Sequence, residues 1–208
     1  MECEYLIALS ETRGIRMRKL SVKEKDLVRN IYKKFSLEGA QIIADIELKG
    51  YENIKATNHD FKAIEYYIKE RLRKTSLKDI LEFVHFGLTS EDASNIAYTL
   101  MIGESVEHIY SPILKDIVKK VGKLAKENKN IPMLARTHGQ SASPTTFGKE
   151  FKVFEERLKR QLNQFKNHRI LAKLNGATGN YNALFIAYPK INWIKELLIV
   201  FIKSTKID

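Results

Sequence analysis

Phe147-Gly148-Lys149-Glu150-Phe151-Lys152-Val153-Phe154-Glu155-Glu156-Arg157-Leu158-Lys159-Arg160-Gln161-Leu162-Asn163-Gln164-Phe165 is the stretch that decides the fold class. Its apolar residues Phe147, Phe151, Phe154, Leu158, Leu162 and Phe165 recur at steps of four, three, four, four and three. That spacing marks one face of an α-helix, and so long an apolar face must pack on other helices, so it reads as core rather than a cofactor box. The same period returns upstream. Phe61, Ile64, Ile68 and Leu72 lie on one face of a helix that Asp60 is placed to cap. A longer block starts after Leu88 and runs through Ile96, Leu100, Ile113, Ile117, Val121 and Leu124, with Pro112 predicting a kink inside it. The stripe of Phe147 to Phe165 is expected to bury itself against that block.

The remaining punctuation is also helical. Residues 1–11 predict a helix that Gly14 to Arg18 breaks. Val22 to Leu48 predicts a second, divisible at Glu38-Gly39 and ended by Gly50 as a C-terminal glycine. Ile191 to Ile202 predicts a last one. Asn128 to Ser143, closed by Pro144, and Asn175 to Asn180 predict loops. No internal repeat and no strand-rich region is found. The fold expected is all-α, an elongated bundle of kinked helices with polar turns between them.

Composition narrows the class. Hydrophobic residues make up 44% of the chain and charged residues 29%, so a real core forms and disorder is not expected. One cysteine, Cys3, rules out a disulfide framework within the chain and points to a reducing, cytoplasmic setting. No apolar run reaches membrane-spanning length. Lys and Arg number 36 against 25 Asp and Glu, a net charge of +11 that suits an anionic ligand. The cations are interleaved with acids, as in Lys69-Glu70-Arg71 and Glu155-Glu156-Arg157, which favours a solvated lysine-rich surface over a nucleic-acid patch.

Three short strings carry the chemistry. Leu134-Ala135-Arg136-Thr137-His138-Gly139-Gln140 puts an imidazole among small and polar residues, with a glycine after it that tolerates a left-handed backbone. Thr57-Asn58-His59-Asp60 and Leu88-Thr89-Ser90-Glu91-Asp92 add a second imidazole, hydroxyls and carboxylates at predicted helix starts. Thr89 or Ser90 is expected to cap its helix, and a hydroxyl pair there suits a carboxylate or phosphate, although Glu91 and Asp92 weigh against a dianion. His85, beside Phe83 and Phe86, reads as partly buried structure, and His108 and His168 as surface residues. No two histidines fall four apart and no Cys/His cluster exists, so no metal is expected.

These strings have a family likeness. Thr57-Asn58-His59-Asp60-Phe61-Lys62-Ala63-Ile64-Glu65-Tyr66, Phe83-Val84-His85-Phe86-Gly87-Leu88-Thr89-Ser90-Glu91-Asp92, Arg136-Thr137-His138-Gly139-Gln140, Phe147-Gly148-Lys149-Glu150 and Asn175-Gly176-Ala177-Thr178-Gly179-Asn180-Tyr181-Asn182-Ala183 resemble, in the same order, the bacterial-type adenylosuccinate lyase family of the aspartase/fumarase superfamily. The Asn-His-Asp string selects this family among its relatives. The resemblance runs from about residue 1 to about 195. It implies β-elimination of fumarate from adenylosuccinate, giving AMP, and from the succinyl carboxamide ribotide of purine synthesis. It implies His138 as general acid, His59 as the second site histidine, and Asn58, His59, Asp60, Thr89, Ser90 and Gln140 as substrate-binding residues. It implies that Lys149 and the Asn175–Asn180 loop line or support the site. It implies a cytoplasmic homotetramer with sites shared among subunits, a purine nucleotide substrate, no cofactor, and neither membrane nor nucleic acid as partner. Residues 1–79 are expected to form the remainder of an N-terminal lyase domain and 80–208 the first part of a central bundle.

Departures from the family pattern matter too. The family's base is a serine on a glycine-rich loop with a Met-Pro-x-Lys-x-Asn string, and none of the 208 residues supplies that string. Its early Arg-Tyr ligand loop and C-terminal helical domain have no counterpart here, and Ser141 stands where the family often has proline. The expectation is therefore a partial lyase, inactive by itself and prone to self-associate through uncovered apolar faces. Two alternatives differ in class: another fumarate-releasing lyase, such as one acting on argininosuccinate, or a basic helical module that binds nucleic acid.

Overall fold

The computed structural model describes residues 1–197. The chain divides into two compact units, one built from Met1–Tyr98 with the described residues from Ala172 on, the other from Thr99–Leu171.

The first unit opens with α1 (Glu2–Glu11), α2 (Val22–Lys33), α3 (Leu37–Leu48) and α4 (Asp60–Arg73). Ser21 and Glu24 form a reciprocal cap at the start of α2, so two amides without helical partners are satisfied. The Arg18 guanidinium beside Glu24 holds that carboxyl well below the usual range. The predicted second helix does divide, but at Lys34–Ser36 rather than at Glu38-Gly39. The Ser36 hydroxyl accepts from Gly39 N–H and caps α3. Gly50 ends α3 as expected: its φ is +89°, and its N–H and that of Lys49 both reach Asp45 O. The faces of α3 and α4 meet through Ile46, Ala63 and Tyr67.

Beyond a 3₁₀ turn (Lys78–Phe83) comes α5 (Ser90–Ser105), which starts in the first unit. The chain returns to that unit after residue 171, through a loop and the short α8 (Asn182–Ala187), with residues 193–197 helical. The rest of the helix predicted over Ile191–Ile202 lies outside the described residues. Trp193, fully buried, belongs to the same unit as the equally buried Tyr5 and Leu77.

The second unit carries the end of α5, a π-helical turn (Val106–Tyr110), α6 (Ser111–Glu127) and α7 (Phe147–Asn167). The kink predicted at Pro112 takes the form of that π turn, because proline has no N–H for the carbonyl one turn back. The loop predicted over Asn128–Ser143 is a correction. Pro132–Thr137 (β1) and Gln140–Thr146 (β2) form an antiparallel hairpin, with Thr137 opposite Gln140. Gly148 sits where a side chain would strike the backbone at Ala125 and Lys129, so α7 can begin hard against the end of α6.

The expected burial of the phenylalanine stripe is only partly realised. Leu162 is buried, while Phe147, Phe154 and Phe165 stay 42%, 56% and 38% exposed. A pair of helices cannot enclose a stripe that both of them share. Among the described residues no helix is long and apolar enough to cross a membrane.

Candidate active site

The Thr57–Asp60 turn is tied back onto α3. Thr57 N–H reaches Ile46 O at 3.0 Å and Asn58 N–H reaches Glu47 O at 2.9 Å. Asn58 adopts a left-handed φ of +51°, which asparagine tolerates and which turns the chain sharply into α4. The residue that caps α4 is His59, not Asp60 as expected. His59 Nδ1 accepts from Lys62 N–H at 3.3 Å, while Asp60 is already the first helical residue. Nδ1 also lies 3.2 Å from Asp60 Oδ1. The neutral ring therefore caps the helix, and a protonated ring would pair with Asp60 instead: the imidazole has a partner in either state.

The other ring nitrogen leads to the second string. His59 Nε2 is 3.4 Å from Ser90 Oγ, so two turns 31 residues apart in sequence meet. The helix start at Ser90 is not capped by a hydroxyl as expected. Asp92 supplies the return half of a capping pattern instead: its Oδ2 accepts from Thr89 N–H, just outside the helix, at 3.0 Å. Among the described residues the Thr89 hydroxyl makes no hydrogen bond, so it is available to a ligand.

Asp92 has no exposure at all and also receives the backbone amides of Asn175 and Gly176. The Asn175–Asn180 loop thus joins the Thr89–Ser90 turn. Asn175 Oδ1 is buried with no partner among the described residues. Sequence reasoning missed this role of Asp92. A carboxylate three residues after Thr89 was the available signal, as the acidic half of a capping pattern.

His85 is 19% exposed and lies 2.7 Å from Glu2 Oε1, so the reading as partly buried structure holds. The Glu2 carboxylate raises the pKa of the imidazole against the opposing effect of burial.

His138, Gln140 and Lys149 belong to the second unit. His138 and Gly139 are the two-residue tip of the hairpin, with φ of +50° and +75°. Two successive left-handed residues give the turn whose twist matches that of the strands it joins. His138 and Gln140 are exposed, and the imidazole of His138 has no partner among the described residues. Lys149 stands in the first turn of α7, where its N–H meets the Thr146 hydroxyl and its ammonium pairs with Glu150. The first unit thus gathers His59, Thr89, Ser90 and the Asn175–Asn180 loop, and the second presents His138 and Gln140. Among the described residues no three His, Cys, Asp or Glu side chains gather as metal ligands.

Comparison with known proteins gives this arrangement its context. A protein family described as Lyase matches residues 25–206. An adenylosuccinate lyase of Dictyostelium discoideum is 45% identical over 201 residues, covering 93% of this chain and 41% of that protein. One from Haemophilus influenzae (strain ATCC 51907 / DSM 11121 / KW20 / Rd) is 40% identical over 197 residues, 94% of this chain and 42% of its own length. The chain thus spans about two fifths of these curated relatives. Among solved structures, a 3-carboxy-cis,cis-muconate lactonizing enzyme from Pseudomonas putida superposes with a TM-score of 0.69 at 16% identity, over 99% of this chain and 44% of that one. A fumarate lyase from Mesorhizobium sp. BNC1 gives 0.68 at 19%, over 99% and 45%. At such identities the likeness is one of fold, and it is the partial helical bundle expected from the sequence.

Proposed function

This chain belongs to the lyase family, and from that premise we propose that it carries part of the active site of an adenylosuccinate lyase. The reaction is β-elimination of fumarate from adenylosuccinate, giving AMP, and from the succinyl carboxamide ribotide. A base takes the proton beside a carboxylate, the electron pair becomes the carbon–carbon double bond, and the carbon–nitrogen bond breaks. The departing nitrogen must be protonated as it leaves. His138 is the donor. Its place at an exposed hairpin tip, without a partner among the described residues, suits a group completed by substrate. His59, with Asn58 and Asp60, and Thr89, Ser90 and Gln140 hold the substrate's polar groups.

The observation that carries this reading is the meeting of His59 Nε2 with Ser90 Oγ at 3.4 Å. It joins the Asn-His-Asp turn, which selects the family, to the hydroxyl pair of the second string. A substrate bearing a phosphate and two carboxylates also suits the +11 charge of the chain. The base, a serine in the family pattern, has no match in these 208 residues. The complete enzyme is a cytoplasmic homotetramer needing no cofactor, with residues 1–79 in its N-terminal domain and 80–208 in its central bundle.

The test is a chimera. Residues 25–197 replace the matching stretch of the Haemophilus influenzae relative, and fumarate release from adenylosuccinate is followed. Turnover is expected from the chimera and negligible turnover from the 208-residue chain alone. A folded chimera that releases no fumarate overturns the reading.

A further inference from the structure

We propose that Asp92 and Lys173 are positioning residues that lock the Thr89–Ser90 turn and the Asn175–Asn180 loop into one rigid piece. The functional meaning of that piece rests on the lyase reading; the lock itself does not.

The geometry is that of a two-sided clamp carried on the first turns of α5. Asp92 Oδ2 holds Thr89 N–H at 3.0 Å. Asp92 Oδ1 takes Lys173 Nζ at 2.9 Å and Asn175 N–H at 3.1 Å, while Gly176 N–H lies 3.2 and 3.1 Å from the two oxygens. Lys173 Nζ reaches on to Gly176 O at 2.8 Å and so closes a ring. One turn along the helix, Asn95 Oδ1 accepts from Lys173 N–H at 2.7 Å and Asn95 Nδ2 donates to Lys173 O at 3.0 Å. Residues 173–176 belong to no strand or helix, yet the amides of Lys173, Asn175 and Gly176 and the carbonyl of Lys173 are all met by side chains of α5. Gly176 turns the chain here with a left-handed φ of +81°, which carries the loop away from the carboxylate its amide has met.

Charge explains why both residues are required. A fully buried carboxylate is tolerated only if it is paired and its lone pairs are satisfied. Lys173 cancels the charge of Asp92, and the amides saturate it. The acid that seemed to argue against a dianion at this helix start is therefore neutralised internally. What the turn offers to a ligand is the Thr89 hydroxyl and the positive end of α5.

The experiment uses the ¹⁵N-labelled 208-residue chain and reads amide hydrogen exchange and amide shifts. In Asp92→Asn, the amides of Thr89, Asn175 and Gly176 should exchange on the order of tenfold faster or more, because each loses a charged acceptor, while Ile68 and Leu72 in α4 keep their protection. Lys173→Met should speed exchange at Asn175 and Gly176, and Lys173→Arg should recover it. Unchanged exchange at Asn175 and Gly176 in Asp92→Asn overturns the proposal. If that variant does not fold, equal rates in Lys173→Met and Lys173→Arg overturn it instead. The readout needs no turnover, so a failed clamp leaves the fumarate assay standing, and a silent chimera leaves the clamp standing.

Discussion

The two units of this chain have the same kind of helix and opposite kinds of interior. In the first, Tyr5, Leu6, Leu72, Leu77 and Trp193 are no more than 1% exposed, and the starts of α2, α3 and α4 are closed by Ser21, Ser36 and His59. In the second, the buried apolar side chains among the described residues are Val118, Ala125 and Leu162. Ile109, Ile113 and Phe154 are all more than half exposed. The candidate site follows the same division. His59 has a partner at each ring nitrogen, whereas His138 stands on a hairpin tip with none among the described residues. Periodicity reports that a face is apolar; it does not report whether one chain alone can cover it.

Each half of this contrast can be broken by measurement. The largest effect belongs to the unpartnered histidine. In an active chimera, His138→Ala should lower kcat by about 10²–10⁴, as for loss of a general acid, with little change in KM. Steady-state fumarate release decides this, and an unimpaired variant would remove the chemistry from the hairpin. Next comes packing. Leu72→Ala, at 1% exposure, should destabilise the chain by about 3 kcal/mol. Phe154→Ala, at 56% exposure, should do so by less than about 1 kcal/mol in urea denaturation. Equal losses would mean that the second unit's open face is covered in solution, and sedimentation would then show self-association.

Smaller effects sharpen the first unit. His59→Ala should destabilise by about 1 kcal/mol through loss of the α4 cap, with the change read as faster exchange at Lys62 N–H. The His85–Glu2 pair gives a pH signature. Because Glu2 raises the His85 pKa in the folded chain, its stabilisation is fully present below the ordinary histidine value of about 6.5. It is lost as pH rises through the raised value. Stability against pH should therefore fall on that side, and His85→Gln should flatten the fall. A slope that survives His85→Gln would assign it to another group.

What could be read from the sequence was local. The α4 stripe, the Gly50 stop and the break near Pro112 depend on residues a few positions apart, and all are present. The cap of α4 was read one residue late, because Asp is the commoner cap while His59 is the residue placed outside the helix. The hairpin escaped because Pro132–Thr137 and Gln140–Thr146 do not alternate apolar and polar and each carries a proline. The one local signal was Gly139, which tolerates a left-handed backbone; that His138 would share that conformation was not legible. The role of Asp92 escaped for another reason: Lys173, Asn175 and Gly176 lie 81 to 84 residues away, and no spacing rule reaches that far. As for the site residues, their types were visible, but their contacts were not.

The π turn at Val106–Tyr110 sets a phase as well as a bend. It holds one more residue than an α-helical turn, and one residue is about 100° of rotation about the axis. Everything from Ser111 onward is therefore turned by that angle from where an unbroken α5 would have carried it. Deleting a single residue between Val106 and Tyr110 would let the helix run regular while Ile113, Ile117 and Leu124 keep the azimuth they have now. Straightening the turn with every residue kept would instead swing all three together, so the one extra residue decides which side of α6 is greasy.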